Sequence, residues 1–344
     1  MSGKIRKTAQ RPLWLLLLAL PIGCGSDAPT SPHPPAQIDA LLAVPTSAEV
    51  AAVAAELTGR TLAGDPERLD ILETRAGAYA DLSLVAYTCD GLNIYGVISL
   101  PRAPGTYPVI LYNHGGDGGL SPLEIDQPLA GAFVFAASGF RDEAVHWFGA
   151  DYRSDGPPSP WDRDVDDALA LLDCVSQLPQ VDPTRVAILG GSRGGGVSLL
   201  AAARQPDRFR CVIDVFGPTD FFDPTFRPVA DTMAAGGSDP RPGMAFLKAA
   251  VLQPYLSGAL SLEAARSELI RRSGLYFADR LPPVQIHHGT ADETVPISQS
   301  DRLADRLERL GRPFEYYSYP GAGHDWPLGV ESLARVLTFV ENHL

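Results

Sequence analysis

The sequence predicts an α/β fold in which a mostly parallel, doubly wound sheet carries helices on both faces. Short, continuously apolar segments typical of buried strands alternate along the chain with segments of helical periodicity. Such alternation favours parallel strands joined by right-handed helical crossovers. Residues 190–196 add a glycine-rich turn between an apolar strand and a helix of small residues, so a sharp strand-to-helix turn is expected near the middle of the chain.

The sheet is expected to open with an antiparallel hairpin. Residues 82–87 and 92–98 have the composition of strands, and Asp90 and Gly91 between them favour a tight turn. Further strands are predicted at residues 107–113, 133–137, 186–189, 283–289 and 314–320. Helices are predicted from about Asp164 to a point before Pro179, directly after residue 192, and in the periodic stretches 303–310 and 330–340.

Residues from about 221 to 278 interrupt this alternation between the sixth and seventh strands. The segment contains amphipathic patches, such as Leu262, Ala265 and Leu269, whose apolar faces need a surface to pack on. Loops at the carboxyl ends of the strands line the ligand cleft in open α/β sheets, so we expect the segment to form a helical lid over that cleft. An ordinary crossover padded with extra helix is the alternative.

The turn at residues 190–194 has the pattern Gly-x-Ser-x-Gly, which places Ser192 at the apex of a strand-to-helix turn. A serine there is forced into strained backbone angles, so the residues two before and two after it must be small. Gly190 and Gly194 satisfy that requirement. Ordinary turns share this pattern, so a nucleophile also needs partners in the correct order.

Two candidate partners of Ser192 follow in the order acid, then histidine, that this kind of turn requires. A serine hydroxyl needs an imidazole to take its proton, and the imidazole needs an acid to orient it. Asp292 lies in the polar loop after the strand 283–289, and His324 lies in the glycine-containing loop after the last strand. Asp292 is therefore the predicted acid, and His324 is the predicted base.

Other acids and histidines compete for these two roles. Asp220, after the preceding strand, is the main alternative acid, whereas Asp325 is adjacent to the predicted base and its carboxylate is expected to point away from the imidazole. His287 and His288 at a strand end, and His146 in a loop, are interpreted as structural hydrogen-bonding residues.

Four segments carry a resemblance to a known family: residues 113–116 (Asn-His-Gly-Gly), 190–195 (Gly-Gly-Ser-Arg-Gly-Gly), 288–296 (His-Gly-Thr-Ala-Asp-Glu-Thr-Val-Pro) and 320–324 (Pro-Gly-Ala-Gly-His). In this order they resemble the catalytic domain of the prolyl oligopeptidase family (peptidase S9) and its esterase-like relatives among the α/β-hydrolases. The resemblance extends from about Leu82 to the carboxyl terminus. It implies the α/β-hydrolase fold and a triad of Ser192, Asp292 and His324, the residues that the chemistry also indicates.

A tetrahedral intermediate also needs two hydrogen-bond donors for its oxyanion. The turn geometry supplies the backbone N–H of Arg193, and the loop after the strand 107–113 offers the N–H of Gly116. The resemblance implies a tyrosine hydroxyl as the second donor in several prolyl oligopeptidases, but His114 stands at that position, which is closer to relatives with a His-Gly-Gly loop. His114 is interpreted as a residue that orients this loop. The side chain of Arg193 is expected in an exposed salt bridge, with a substrate carboxylate as the alternative partner.

These residues indicate a serine hydrolase that works without a cofactor through an acyl-enzyme, with a small ester as the preferred substrate. A serine peptidase that cleaves short peptides is the alternative, because both reactions use the same residues. The resemblance family often carries a β-propeller before the catalytic domain, and the length leaves no room for one, which favours esters. A non-catalytic binding lipoprotein is a remote alternative. Trp147, Trp161 and Trp326 are candidates for the walls of an acyl pocket, although packing is the commoner role of tryptophan.

The amino-terminal residues are predicted to be an export signal. Four basic residues precede an apolar run at residues 13–20, which is shorter than the ~20 residues that span a bilayer. The Gly-Cys pair that ends at Cys24 resembles a bacterial lipobox, with Pro21 where leucine is usual. Lipidation of Cys24 would anchor the protein in the bacterial cell envelope, and ordinary secretion is the alternative.

The predicted organisation has four parts: a signal peptide at 1–23, a flexible linker at 24–36, an N-terminal helical arm at 37–79 and a catalytic domain at 80–344. Within the arm, an alanine-rich helix is expected near residues 48–57. No role can be assigned to the arm beyond packing against the catalytic domain.

Composition limits the partners. The 344-residue chain is 45% hydrophobic, which suffices for one substantial domain. Its formal net charge of −13 becomes −17 without the four basic residues of the signal, and such a surface repels nucleic acid. Besides Cys24, the cysteines are Cys89, Cys174 and Cys211, which allow at most one disulfide and lack metal-site spacing. We therefore expect no metal and no nucleic-acid partner, and membrane contact only through the lipid anchor.

Overall fold

Strands of one large sheet and one small hairpin organise the molecule. The computed structural model describes residues 34–60 and 68–344 of the chain. Its strands are β1 (Leu69–Ala76), β2 (Asp81–Cys89), β3 (Leu92–Leu100), β4 (Tyr107–Asn113), β5 (Val134–Ser138), β6 (Ala144–Trp147), β7 (Ala150–Arg153), β8 (Val181–Gly191), β9 (Cys211–Val215), β10 (Val284–Gly289) and β11 (Phe314–Tyr319).

Helices connect these strands. The α-helices are α1 (Pro34–Leu41), α2 (Ser47–Thr58), α3 (Arg163–Val175), α4 (Arg193–Arg204), α5 (Arg227–Ala234), α6 (Met244–Leu247), α7 (Gln253–Leu256), α8 (Leu262–Arg271), α9 (Ser298–Arg309) and α10 (Val330–His343). A π-helical turn at Lys248–Leu252 joins α6 to α7, and a 3₁₀ segment at Gly274–Arg280 follows α8. No helix of the described part is long and apolar enough to cross a membrane.

The large sheet has the order β1-β2-β3-β5-β4-β8-β9-β10-β11, and β6 and β7 form a separate two-stranded sheet. Strands β1, β2 and β3 are antiparallel, whereas β5, β4 and β8 to β11 run parallel. Asp90 and Gly91 form the two-residue turn between β2 and β3, with φ of +51° and +76°. The predicted mostly parallel α/β sheet with an antiparallel opening is confirmed.

Two hydrophobic layers cover the two faces of the sheet. Successive residues of β4 alternate between them, because side chains in a strand point to opposite faces: Val109 and Leu111 join one layer, and Ile110 joins the other. The first layer includes buried residues of α3, α4 and α9, and the second includes buried residues of α10. The carboxyl ends of the parallel strands are thereby held at one edge, where the candidate site residues lie.

The predicted helical arm at 37–79 is wrong for residues 69–76, which form β1 at the edge of the sheet. Most side chains of β1 are exposed, so its sequence lacks the apolar alternation that identifies a strand. The predicted linker at 24–36 is also too long, because α1 begins at Pro34. The alanine-rich helix is confirmed as α2. The signal peptide, Cys24 and the rest of the linker lie outside the described residues.

Helices α1 and α2 pack on the segment that interrupts the sheet. The guanidinium of Arg266 in α8 donates to the carbonyl oxygens of Ala40, Leu41 and Ala43 at 2.7–3.0 Å, and so satisfies the free carbonyls at the end of α1. Its Nε also binds Glu49 of α2. The arm therefore braces the inserted segment.

That inserted segment lies between β9 and β10 and contains α5 to α8. The predicted bounds of 221–278 fall inside this connection. Within the large sheet these are the seventh and eighth strands rather than the sixth and seventh, because β1 adds one strand at the edge.

Candidate active site

The turn between β8 and α4 presents Ser192. Its backbone has φ +54° and ψ −125°, a combination that costs energy in a non-glycine residue and persists only where the surroundings impose it. The N–H of Ser192 donates to the carbonyl oxygen of Val215 at the end of β9, over 2.9 Å. The serine is therefore fixed above the carboxyl ends of two parallel strands.

The two glycines of the pattern are required by close backbone contacts. A Cβ on Gly190 would lie 2.2 Å from the carbonyl oxygen of Gly194. A Cβ on Gly194 would lie 1.9 Å from the carbonyl oxygen of Asn113, the last residue of β4. The turn can thus close, and lie against the loop after β4, only with glycine at both positions.

Ser192, His324 and Asp292 form a continuous hydrogen-bonded row. His324 Nε2 lies 2.9 Å from Ser192 Oγ, and His324 Nδ1 lies 2.6 Å from Asp292 Oδ2. An ionised aspartate only accepts hydrogen bonds, so Nδ1 carries the proton and Nε2 is free to accept the one from the serine. The three side chains predicted from the sequence are thus brought together in the order that proton transfer needs.

The loop after β10 keeps Asp292 ionised. Its Oδ1 accepts the backbone N–H groups of Thr294 and Val295, each at 2.9 Å. Burial raises the pKa of Asp292, but hydrogen bonds from His288 and His324 and from the Val295 N–H outweigh burial and hold its pKa below the ordinary value. His288 Nε2 lies 3.4 Å from Asp292 Oδ2 and also donates to the Val295 carbonyl at 2.8 Å.

The acid loop and the histidine loop are tied to each other. The N–H of Ala291 donates to the carbonyl oxygen of Ala322 over 2.9 Å, and a Cβ on Gly289 would come within 2.3 Å of that same oxygen. On its other side, the His324 ring packs on Phe216, with ring centroids 4.3 Å apart. These contacts fix the imidazole between the acid and the serine.

The loop after β4 holds Gly116 in the left-handed region, with φ +76°. His114 Nδ1 donates to the carbonyl oxygen of Gly115 at 3.0 Å. In a trans peptide the N–H points opposite to the carbonyl, so this bond sets the direction of the Gly116 N–H. Burial lowers the pKa of His114 to about 3, which keeps the ring neutral. The interpretation of His114 as an orienting residue fits these contacts.

The expectation of an exposed salt bridge for the Arg193 side chain is wrong, because the side chain is 1% exposed. Its Nε donates to Asp164 at 2.8 Å, and its Nη1 contacts Asp117, Glu143 and the carbonyl oxygen of Gly116. The acids come from three separate segments, so only the folded chain brings them to the arginine. This network was missed by sequence reasoning, and only the acidic residues themselves could have suggested it.

The competing residues have other partners. Asp220 accepts hydrogen bonds from Arg302 at 2.6 Å, from the Phe222 N–H and from Tyr276, so it is not the acid of this site. His287 bonds Gln285 and Tyr319, and His146 bonds Asp151 and the Gly118 carbonyl oxygen, in line with structural roles. Asp325 is exposed, whereas Asp292 holds the imidazole.

An apolar pocket of about 60 Å³ opens beside Ser192. It is walled by side chains of the inserted segment and of the acid loop, together with Trp161. Of the three tryptophans considered for such a wall, Trp147 is buried and donates to Glu73, and Trp326 lies at the surface near His287. The inserted segment therefore borders the nucleophile.

Within residues 34–60 and 68–344, no group of three or more His, Cys, Asp or Glu side chains is arranged to hold a metal ion. Cys89, Cys174 and Cys211 are buried and not joined by disulfides.

The fold and the site together define a serine hydrolase of the α/β-hydrolase fold. Acetyl Xylan Esterase 1 from Thermoanaerobacterium sp. superposes with a TM-score of 0.64 at 19% identity, over 93% of this chain and 100% of that structure. At this identity the likeness shows the fold.

The predicted resemblance to the prolyl oligopeptidase family is confirmed, since the model of that family matches residues 142–225 and 263–344. Dipeptidyl peptidase family member 6 of Caenorhabditis elegans is 31% identical over 142 residues, 41% of this chain and 17% of that protein. Carboxylesterase NlhH of Mycobacterium tuberculosis is 32% identical over 110 residues, 31% of this chain and 32% of that protein. The chain thus aligns with a third or less of the length of these two relatives, one a peptidase and the other an esterase.

Proposed function

We propose that this serine hydrolase cleaves carboxylic esters through an acyl-enzyme on Ser192. His324 Nε2 takes the serine proton as Oγ attacks the ester carbonyl, and Asp292 stabilises the imidazolium through Nδ1–H. The proton on Nε2 then passes to the departing alcohol. A water molecule then attacks the acyl-enzyme while the same imidazole takes its proton. The imidazole returns this proton to Oγ as the carboxylic acid leaves, which restores Ser192. The hydrogen-bonded row from Ser192 Oγ to Asp292 Oδ2 is the observation that carries this proposal.

The backbone N–H groups of Gly116 and Arg193 are the proposed donors to the oxyanion. Arg193 is the first residue of α4, so its N–H has no acceptor within the helix. The positive φ of Gly116 and the fixed Gly115 carbonyl support an inward N–H on the opposite side. Two such donors stabilise charge that develops only in the transition state, and each is commonly worth about 10²–10³ in rate.

The pocket beside Ser192 favours esters over peptides. A peptidase that removes residues from a peptide's amino terminus needs a free carboxylate for the ammonium group. Asp220 borders the pocket, but three donors already occupy its carboxylate. The carboxylesterase relative agrees with this preference. The peptidase relative keeps peptide cleavage as the second candidate.

A paired substrate panel tests the proposal. The full chain and a Ser192→Ala variant are compared on p-nitrophenyl esters and on aminoacyl p-nitroanilides. We expect ester turnover by the wild type and a loss of at least about 10³-fold in kcat for the variant. Turnover of the nitroanilides alone would establish the peptidase, and full ester turnover by the variant would exclude Ser192 as the nucleophile.

Lipidation of Cys24 and export to the cell envelope are also proposed. The basic start, the apolar run at 13–20 and the Gly-Cys pair support them. Intact-mass analysis of the protein from a bacterial membrane fraction should give a chain that starts at Cys24 and carries acyl groups. A mature chain with an unmodified amino terminus would refute the anchor.

A further inference from the structure

We infer that the pocket beside Ser192 binds the acyl part of the substrate and admits acyl groups of about two to four carbons; this inference rests on the proposed ester hydrolysis. The pocket volume is about 60 Å³. A dry cavity of about 150 Å³ holds one benzene molecule. The pocket is less than half that size, so it has room for a short acyl chain but not for an aromatic ring or a long chain.

The lining of the pocket selects an uncharged acyl group. Its walls are mainly apolar and include Trp161, Phe221, Phe226, Pro242, Met244 and Val295. The three charged residues at its border, Arg193, Asp220 and Arg241, are all paired within the protein, Arg193 with Asp117, Glu143 and Asp164. Arg241 binds both carboxylate oxygens of Asp239 at 2.8 Å, and Arg302 binds Asp220 at 2.6 Å. A charged acyl group would lose its hydration without gaining a partner.

The walls are also held in place, so a longer chain cannot simply push them apart. The N–H of Gly243 donates to Asp117 Oδ2 over 2.9 Å, and the other carboxylate oxygen of Asp117 binds Arg193. A Cβ on Gly243 would lie 2.3 Å from the Trp161 ring, which in turn packs on Phe221 with centroids 4.9 Å apart. Asp117 thus fastens the inserted segment to the helix that follows the nucleophile.

The test begins with acyl-chain dependence. We expect kcat/KM of the wild type to be similar for p-nitrophenyl acetate and butyrate and at least about tenfold lower for the octanoate, because overpacking a filled pocket is costly. A parallel series of acetates with alcohols of increasing size should show no such cut-off. A cut-off in the alcohol series alone would assign the pocket to the leaving group and overturn the inference.

A pocket variant and a matched control locate the cause. Met244→Ala enlarges the pocket and should raise the octanoate-to-acetate ratio of kcat/KM about tenfold. Met233→Ala removes a buried methionine of the same inserted segment that does not line the pocket, so this ratio should stay at the wild-type value. Phe226→Leu replaces Met244→Ala if that variant does not fold, as judged by its thermal transition.

The outcomes separate this inference from the proposed function. Ester turnover that is equal or faster with octanoate in the wild type would refute the short-acyl pocket and leave ester hydrolysis standing. An unchanged ratio in the pocket variant that folds, Met244→Ala or its replacement Phe226→Leu, would refute the assignment of the walls. Absence of ester turnover with every chain length would refute the proposed function itself.

Discussion

The Arg193 guanidinium donates through Nη1 to the carbonyl oxygen of Gly116 over 3.0 Å. The residue after the nucleophile is thereby bonded to the loop that follows β4. The same side chain binds Asp164 through Nε, and it also contacts Glu143 and Asp117. Both proposed oxyanion donors are backbone N–H groups of the two residues joined by this bond. One buried side chain therefore controls the distance between them.

Replacement of Arg193 by lysine should lower kcat for p-nitrophenyl acetate about tenfold and change KM less than about twofold. Lysine keeps the charge near the acids but lacks the planar fork that reaches several acceptors at once. The Gly116 loop then loses its fixed position, and small displacements of this kind weaken transition-state binding more than substrate binding. Steady-state kinetics on the full chain measures both parameters.

A second readout of the Arg193 prediction is the affinity for a boronic acid, which forms a tetrahedral adduct with the serine. This affinity should fall by the same factor as kcat. Arg185→Lys serves as the control, because Arg185 pairs with Asp182 on the surface, and its kcat should match the wild type. A rise of about tenfold in KM with kcat unchanged would show that Arg193 acts on substrate binding instead.

The chain order and local chemistry made the central residues predictable. Ser192 lies in a turn that needs glycine at two fixed positions, and the acid and the histidine follow the ends of later strands. The turn at Asp90 and Gly91 was equally predictable, because aspartate and glycine tolerate positive φ at low cost. Each of these features depends on a few adjacent residues.

Features that depend on residues far apart in the chain could not be predicted from the sequence. Arginine is rarely fully buried unless it is paired, so the sequence alone favours an exposed Arg193; its burial depends on Asp117, Glu143 and Asp164, which only the fold brings around it. Strand β1 has mostly exposed residues and is stabilised at one edge by β2, so its pattern did not identify a strand. No local signal marked the contact of the arm with Arg266.

Glu143 should make stability depend on pH. Burial raises the pKa of Glu143 to about 7. Arg193 lowers this pKa, whereas the negative charges of Asp164 and Asp117 raise it further. A carboxyl whose pKa is raised in the folded state favours folding below its ordinary pKa of 4.5, and this advantage is lost as the pH rises through about 7. Between pH 4 and pH 8 the wild type should therefore lose about 3 kcal/mol of unfolding free energy relative to Glu143→Gln.

Urea denaturation of both proteins at these two pH values measures that difference. The glutamine variant has nearly the same shape and no titrating group at position 143, so the titration of residues that do not interact with this position cancels in the comparison. A difference that stays constant with pH, or that increases with pH, would contradict the raised pKa of Glu143.

Arg266 should be a major source of stability for the arm. Its side chain is 6% exposed and satisfies three backbone carbonyl oxygens of residues 40–43 as well as the Glu49 carboxylate. Arg266→Met keeps the length of the side chain but leaves these acceptors without a donor. Removing one partner of a buried charged network typically costs 3–5 kcal/mol, so we expect a loss of about 3 kcal/mol in urea denaturation at pH 7.

The comparison variant is Arg271→Met on the same helix, because Arg271 pairs with the exposed Glu56 and such a pair is worth less than about 1 kcal/mol.

A pH series adds a second check. The hydrogen bond from Arg266, opposed by burial, lowers the pKa of Glu49 to about 2, so this pair stabilises the fold above pH 4.5 and is lost as the pH falls through about 2. The difference in unfolding free energy between wild type and Arg266→Met should therefore become smaller below pH 4.5. A difference that does not change with pH would assign the whole effect to the carbonyl contacts.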